Sequence, residues 1–132
     1  MIRIGILILA GLSTLNAQVR VRPGMWENTV TSNGKAVTHS SCLTTEAAAV
    51  SNGPAGELRA AFEKSIAKTS CSLKDFKIEG NSITDTMVCG KTTYVNTRVY
   101  HGGDSTETTA TRTEGGVAKV STIKSKRTGD CP

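Results

Sequence analysis

Four thiols and two imidazoles are the groups in this 132-residue sequence whose types could do chemistry. Cys42, Cys71, Cys89 and Cys131 can pair as two disulfides or hold a metal. Structural zinc asks for closely spaced Cys or His pairs; the spacing here offers none, so oxidation is the expected chemistry. His39 and His101 are the only imidazoles available as a catalytic base. His101 falls in a His-Gly-Gly-Asp turn and reads as a solvated turn residue. His39 is followed by Ser40 and Ser41, but successive strand residues point to opposite faces, so adjacency makes no nucleophile-base pair. The eleven acids are scattered, and Glu27, directly after Trp26, is the one to watch. Its plain reading is a surface carboxylate beside a Lys or Arg. No Gly-rich phosphate loop, His-Glu-x-x-His site or nucleotide fingerprint occurs. The sequence therefore assigns no catalytic residue, no metal site and no cofactor.

The start of the chain reads as an export signal: Arg3, an apolar run over residues 4–12, then Leu15-Asn16-Ala17 as a cleavage site. Residues 1–17 are expected to leave and Gln18 to begin a soluble mature chain, without a membrane span and without a cysteine placed to take lipid. About 115 residues remain, one domain's worth, with few large side chains to form a core. Trp26, Phe62, Phe76, Tyr94 and Tyr100 are its aromatics. Cross-links should matter in so thin an interior, and an even cysteine count suits a periplasmic or secreted protein. The formal charge of +5, one less without Arg3, is too small to suggest a nucleic-acid partner. Lys124-Ser125-Lys126-Arg127 reads as a solvated strand edge that resists further pairing, or alternatively as a polyanion site.

The elements that must position these groups are mostly strands. Arg22-Pro23-Gly24-Met25 fits a type II turn, and Asn33-Gly34 supplies the residues of a type I′ hairpin between "MWENTVTS" and "KAVTHSSCL". Thr44 or Thr45 can cap a short helix over "TEAAAV". "AGELRAAFEKSIAK" places Leu58, Phe62 and Ile66 at intervals of four, the stripe of one amphipathic helix. After Cys71 the alternation turns to period two and runs as short strands divided by Gly turns, an antiparallel meander. On the Tyr94 strand, the face of Val95, Thr97 and Val99 is expected to point to the core. "STETTATRT", almost without apolar residues, is expected to be exposed or at an edge.

Four cysteines allow three pairings. Cys42 and Cys71 bracket the helical segment, so linking them would clamp it to the sheet and leave Cys89 for Cys131; this pairing is preferred. The competitor joins Cys71 to Cys89 across the Gly80-Asn81 hairpin and leaves Cys42 for Cys131.

Arg22-Pro23-Gly24-Met25-Trp26-Glu27, Cys42-Leu43-Thr44 before a helix, Gly80-Asn81 between Cys71 and Cys89, Tyr100 before a Gly-Asp turn, and Arg127-Thr128-Gly129-Asp130-Cys131 resemble the bacterial domain-of-unknown-function 3617 family over nearly the whole mature chain. The resemblance implies an exported, disulfide-bonded protein and brings no known activity, catalytic residue or cofactor. The connection between the first two strands, often long and rich in Met and Pro in that family, is here a tight hairpin. Gly24-Met25-Trp26 also resembles the Gly-x-Trp opening of lipocalin-like barrels, in which a late basic residue lies on the indole. Trp26 and Arg127 are accordingly expected to form a cation-π plug tying the first strand to the last.

The sequence as a whole predicts an α+β, mainly β domain: a curved antiparallel sheet or partial barrel of six to seven strands with one packed amphipathic helix. The expected role is a non-catalytic envelope protein binding a small molecule, an anionic envelope polymer or a protein through its sheet. An inhibitor or interaction module using a Gly-rich turn such as 101–104, and a small hydrolase centred on His39 or Glu27, are the alternatives.

Overall fold

Alternating residues between glycine turns build the body of this protein. The computed structural model describes residues 19–132; the leader expected over residues 1–17 and the cleavage before Gln18 lie outside the described residues. One sheet holds seven strands: β1 (Gly24–Ser32), β2 (Lys35–Leu43), β3 (Cys71–Glu79), β4 (Ser82–Cys89), β5 (Thr92–His101), β6 (Ser105–Glu114) and β7 (Val117–Gly129). Their order is β2-β1-β7-β6-β5-β4-β3, antiparallel throughout. Strands β3 to β7 run as the expected meander, and the β1–β2 hairpin is laid against β7. The first and last strands therefore meet inside the sheet, while β2 and β3 form its two edges and leave it open. Asn33 and Gly34 both have positive φ, 52° and 74°, as a type I′ turn requires, and Ser32 faces Lys35 across it.

Two helices separate β2 from β3: α1 (Thr45–Ser51) and α2 (Ala55–Ile66). Thr44 is the cap of α1, its hydroxyl accepting from the Ala47 amide at 3.2 Å. The single packed helix expected from the apolar stripe is thus joined by a second, and it is this shorter one that carries the most buried apolar side chain, Ala48. A methyl group escapes periodicity analysis, yet Ala48 belongs to the buried cluster with Trp26 and Tyr100. Among the described residues no helix is long and apolar enough to cross a membrane.

Register fixes which side chains look toward the helices. Trp26, Asn28 and Val30 of β1 share that inner face with Arg127, Ser125 and Ile123 of β7, and the ladder continues across β6 to Tyr100 and Arg98 of β5 and Ile83 of β4. The assignment of Val95, Thr97 and Val99 to the core is therefore overturned. Tyr100 is buried on the inner side, whereas Val95 is 38% exposed on the other. With so few large residues available, the body of Tyr100 helps fill the interior. The outer face is instead a surface of threonines: Thr31, Thr122, Thr109, Thr97 and Thr84 stand side by side across five strands. Threonine needs no cover, because its methyl packs against lateral neighbours while its hydroxyl stays hydrated or bonds across strands, as between Thr84 and Thr97 at 3.3 Å. This is why "STETTATRT" misled as an edge: β6 lies between β5 and β7. The basic cluster 124–127 is likewise internal, with β7 paired on both sides. Lys124 and Lys126 point out into solvent and spare the ladder.

The interior is thin, its buried apolar members being Val21, Trp26, Ala48, Ile83 and Tyr100. Two disulfides reinforce it, and they overturn the preferred pairing: Cys42 joins Cys131, and Cys71 joins Cys89. Cys71 and Cys89 are direct cross-strand neighbours at the ends of β3 and β4, with α-carbons 4.0 Å apart. Cys42, on the edge strand, reaches past β1 to Cys131, two residues beyond the end of β7. The preferred pairing failed because β2 and β3, which carry Cys42 and Cys71, sit at opposite edges of the sheet, and the competitor holds.

Candidate functional site

Between the helix layer and the inner face lies a cleft formed of two adjoining hollows. One, of about 330 Å³, is framed by Trp26, Asn28, His39 and Ser125; the other, of about 280 Å³, by Leu58, Phe62, Phe76 and Ile83. Arg98, Thr108, Ile123 and Ser51 line both, so the two lie side by side. Each hollow arises from the sequence in a simple way. The α2 stripe of Leu58 and Phe62 supplies an apolar roof, and Phe76 and Ile83 from β3 and β4 an apolar floor. The floor beneath Trp26 is made of short polar side chains that leave space unfilled.

The polar groups are held in place by one another. Asn28 donates to the Ser41 hydroxyl at 3.2 Å and accepts from Ser125 at 2.7 Å. Asn96 donates to the Asp85 carboxylate at 3.0 Å. The Arg98 Nε donates to the Thr108 hydroxyl at 3.0 Å. Farther along the inner face, Arg112 has its pKa raised, first by a hydrogen bond with Tyr94 and then by the charge of Glu114.

Beside the cleft, where Val21 and Ser51 line it, is a clamp that sequence reasoning missed. The Asn52 side chain, just after α1, accepts from the amides of Arg20 and Val21 at 2.8 and 3.0 Å and donates to the Val21 carbonyl at 2.8 Å. Arg20 returns the favour to the helix, its Nη1 donating to the Ser51 and Gly53 carbonyls, both at 3.0 Å, where unsatisfied carbonyls and the negative dipole end favour a cation. The break at Ser51-Asn52-Gly53-Pro54 was legible, but which amide side chain would template a distant backbone was not.

The residues singled out from sequence are dispersed. His39 lies on the inner face opposite Asn28, at the mouth of the cleft, whereas Glu27 lies on the outer face opposite Lys126. The sheet stands between them, so they cannot serve one reacting centre. His101 is outside the cleft, 3.9 Å from Glu107. Trp26 and Arg127 face each other between β1 and β7 beside a β-bulge. The indole is 5% exposed and donates to the Arg22 carbonyl at 3.0 Å; the guanidinium donates to the Pro23 carbonyl at 2.7 Å and to Asp130 at 2.6 Å. Among the described residues no group of three or more His, Cys, Asp or Glu is placed to hold a metal.

Residues 21–131 match the family described as "Protein of unknown function (DUF3617)". The chain belongs to this family. The four-cysteine resemblance thus holds, and every residue of the cleft falls within the matched span. Comparison with curated proteins and with solved structures gives no match for this DUF3617 member. Its two disulfides are consistent with an oxidising, extracytoplasmic location.

Proposed function

We propose that this protein is an exported, non-catalytic envelope protein, periplasmic or secreted, that binds a small molecule in the cleft between its helices and its sheet. One observation carries the reading. A domain short of large side chains leaves its interior open as two adjoining hollows, each near the size of small-ligand pockets and each combining apolar walls with fixed polar groups. The 101–104 turn supports the rival binding-loop reading poorly, because it is already engaged: Arg22 pairs with Asp104 at 2.8 Å and the Arg22 amide donates to the Gly103 carbonyl at 2.9 Å.

Native mass spectrometry of the protein recovered from its own periplasm tests the proposal. A small adduct that disappears in a Phe62→Ser variant of unchanged fold is the expected result. A bare mass together with a stoichiometric protein partner in a pull-down would favour the interaction module and overturn the carrier. Turnover of any substrate that His39→Ala abolishes without unfolding would overturn the non-catalytic assignment.

A further inference from the structure

Arg98 stands out in the cleft, although the residue as a whole remains exposed. Six arginines lie among the described residues, and five of them meet a carboxylate or a backbone carbonyl: Arg20 at Ser51 and Gly53, Arg22 at Asp104, Arg59 at Glu63, Arg112 at Glu114 and Arg127 at Asp130. Arg98 has only the neutral Thr108 hydroxyl, bound to its Nε. Its terminal nitrogens, the ones that grip a carboxylate in a two-pronged fashion, have no hydrogen-bond or ion-pair partner among the described residues. The other charged side chain of the cleft, Asp85, is bonded to Asn96 and lines only the apolar hollow. Arg98 lines both, at the point where the polar hollow of Asn28, His39 and Ser125 meets the greasy one of Leu58, Phe62 and Phe76.

Resting on the small-molecule reading above, we infer that the ligand is a single-chain amphiphile with an anionic head, a free monocarboxylate, whose carboxylate pairs with Arg98 and whose hydrocarbon chain lies under α2 against Phe62 and Phe76. Thr108 fixes the guanidinium plane by holding Nε, which leaves the two outer nitrogens directed at the head group. Asn28 and Ser125 offer further polar contacts on that side, and Asp85 repels an anion from the apolar end, which sets the orientation. The hollows have the size of one short chain, well below that of a two-chain lipid.

The test uses octanoate, octan-1-ol and octylammonium, which share a chain and differ in head charge, titrated into the oxidised protein and followed by Trp26 emission and calorimetry. Octanoate is expected to bind about tenfold tighter than octan-1-ol, and octylammonium weakest. Arg98→Met should remove the advantage of octanoate, Arg98→Lys should retain part of it, and both variants should melt as the parent does. Octan-1-ol matching octanoate, octylammonium binding best, or Arg98→Met leaving octanoate unaffected would each overturn the anionic assignment while the cleft reading stands. Selective binding to anionic phospholipid vesicles with no binding of octanoate would assign the head to a lipid and also overturn it. No binding of any of the three chains, with no adduct in the native mass spectrum, would remove the cleft reading itself.

Discussion

The two disulfides should be unequal in what they contribute, and the inequality can be worked from the fold. Cys42 and Cys131 are 89 residues apart, Cys71 and Cys89 only 18. In the chain-entropy treatment the longer closure contributes about 4.6 kcal/mol and the shorter about 3.2 kcal/mol at 25 °C. The short loop is nested inside the long one, so with Cys71–Cys89 intact the effective long loop is smaller and its contribution falls to about 4.4 kcal/mol. Removing Cys71–Cys89 in turn lets the surviving bridge close the full loop, so the net loss there is about 3.0 kcal/mol. At about 2.1 cal/mol/K per residue over about 110 residues, these figures correspond to midpoint losses of about 19 °C for Cys42→Ser with Cys131→Ser, and about 13 °C for Cys71→Ser with Cys89→Ser. The native state points the same way. Cys42–Cys131 is the tie, beyond the β1 ladder, that holds the exposed edge strand β2, whereas Cys71–Cys89 crosses a hairpin already closed by its own ladder. Calorimetric melts of the two double variants give the comparison, and amide exchange should show β2 opening only in the first. Equal midpoints, or a larger loss from the short loop, would refute the argument that closure length decides.

Asn52→Ala should cost about 2 kcal/mol, or about 8 °C, because it strands the Arg20 and Val21 amides; a thermal melt and increased exchange at those two amides check it. Gly24→Ala should be among the most disruptive single changes, at more than about 2 kcal/mol, since a Cβ there meets the Gly129 carbonyl oxygen and the Arg127 guanidinium within 3 Å and φ is 144°; a soluble, unshifted variant would contradict it. Arg127→Ala, testing the proposed cation-π plug, should shift Trp26 emission and cost about 1 to 2 kcal/mol; emission and midpoint both equal to the parent would eliminate the plug. Thr44→Ala should cost about 1 kcal/mol through loss of the α1 cap, seen as a modest drop in midpoint.

What could be read from the sequence is what is decided locally. Asn33-Gly34 specifies its hairpin because few other residues tolerate left-handed backbone at two successive positions, and the period-two run after Cys71 can satisfy its amides only as strands. The Leu58-Phe62-Ile66 stripe likewise demanded a helix against an apolar surface. What escaped was settled by partners distant in the chain. The Gly-x-Trp resemblance joined Trp26 to Arg127, but nothing local gives the β1–β7 ladder itself, and that adjacency brings Cys42 to Cys131 and turns β7 from a sheet edge into an interior strand. The face of Arg98 was visible as an alternation, but apolar valines drew the assignment to the other side. In a protein with few bulky residues, the body of Tyr100 can outrank valine for the inside.

The meeting of β1 with β7 also governs when the protein can finish folding. Val30 sits opposite Ile123, so the strands of this seam close contacts between opposite ends of the chain. High contact order of this kind slows the search for the native state. The β1–β2 hairpin can curl up as soon as it is made, yet it has no sheet to dock on until the last strand has been synthesised. A chain truncated just before Val117 would lose three strands from the sheet rather than one, β7 together with the two it alone connects to the meander.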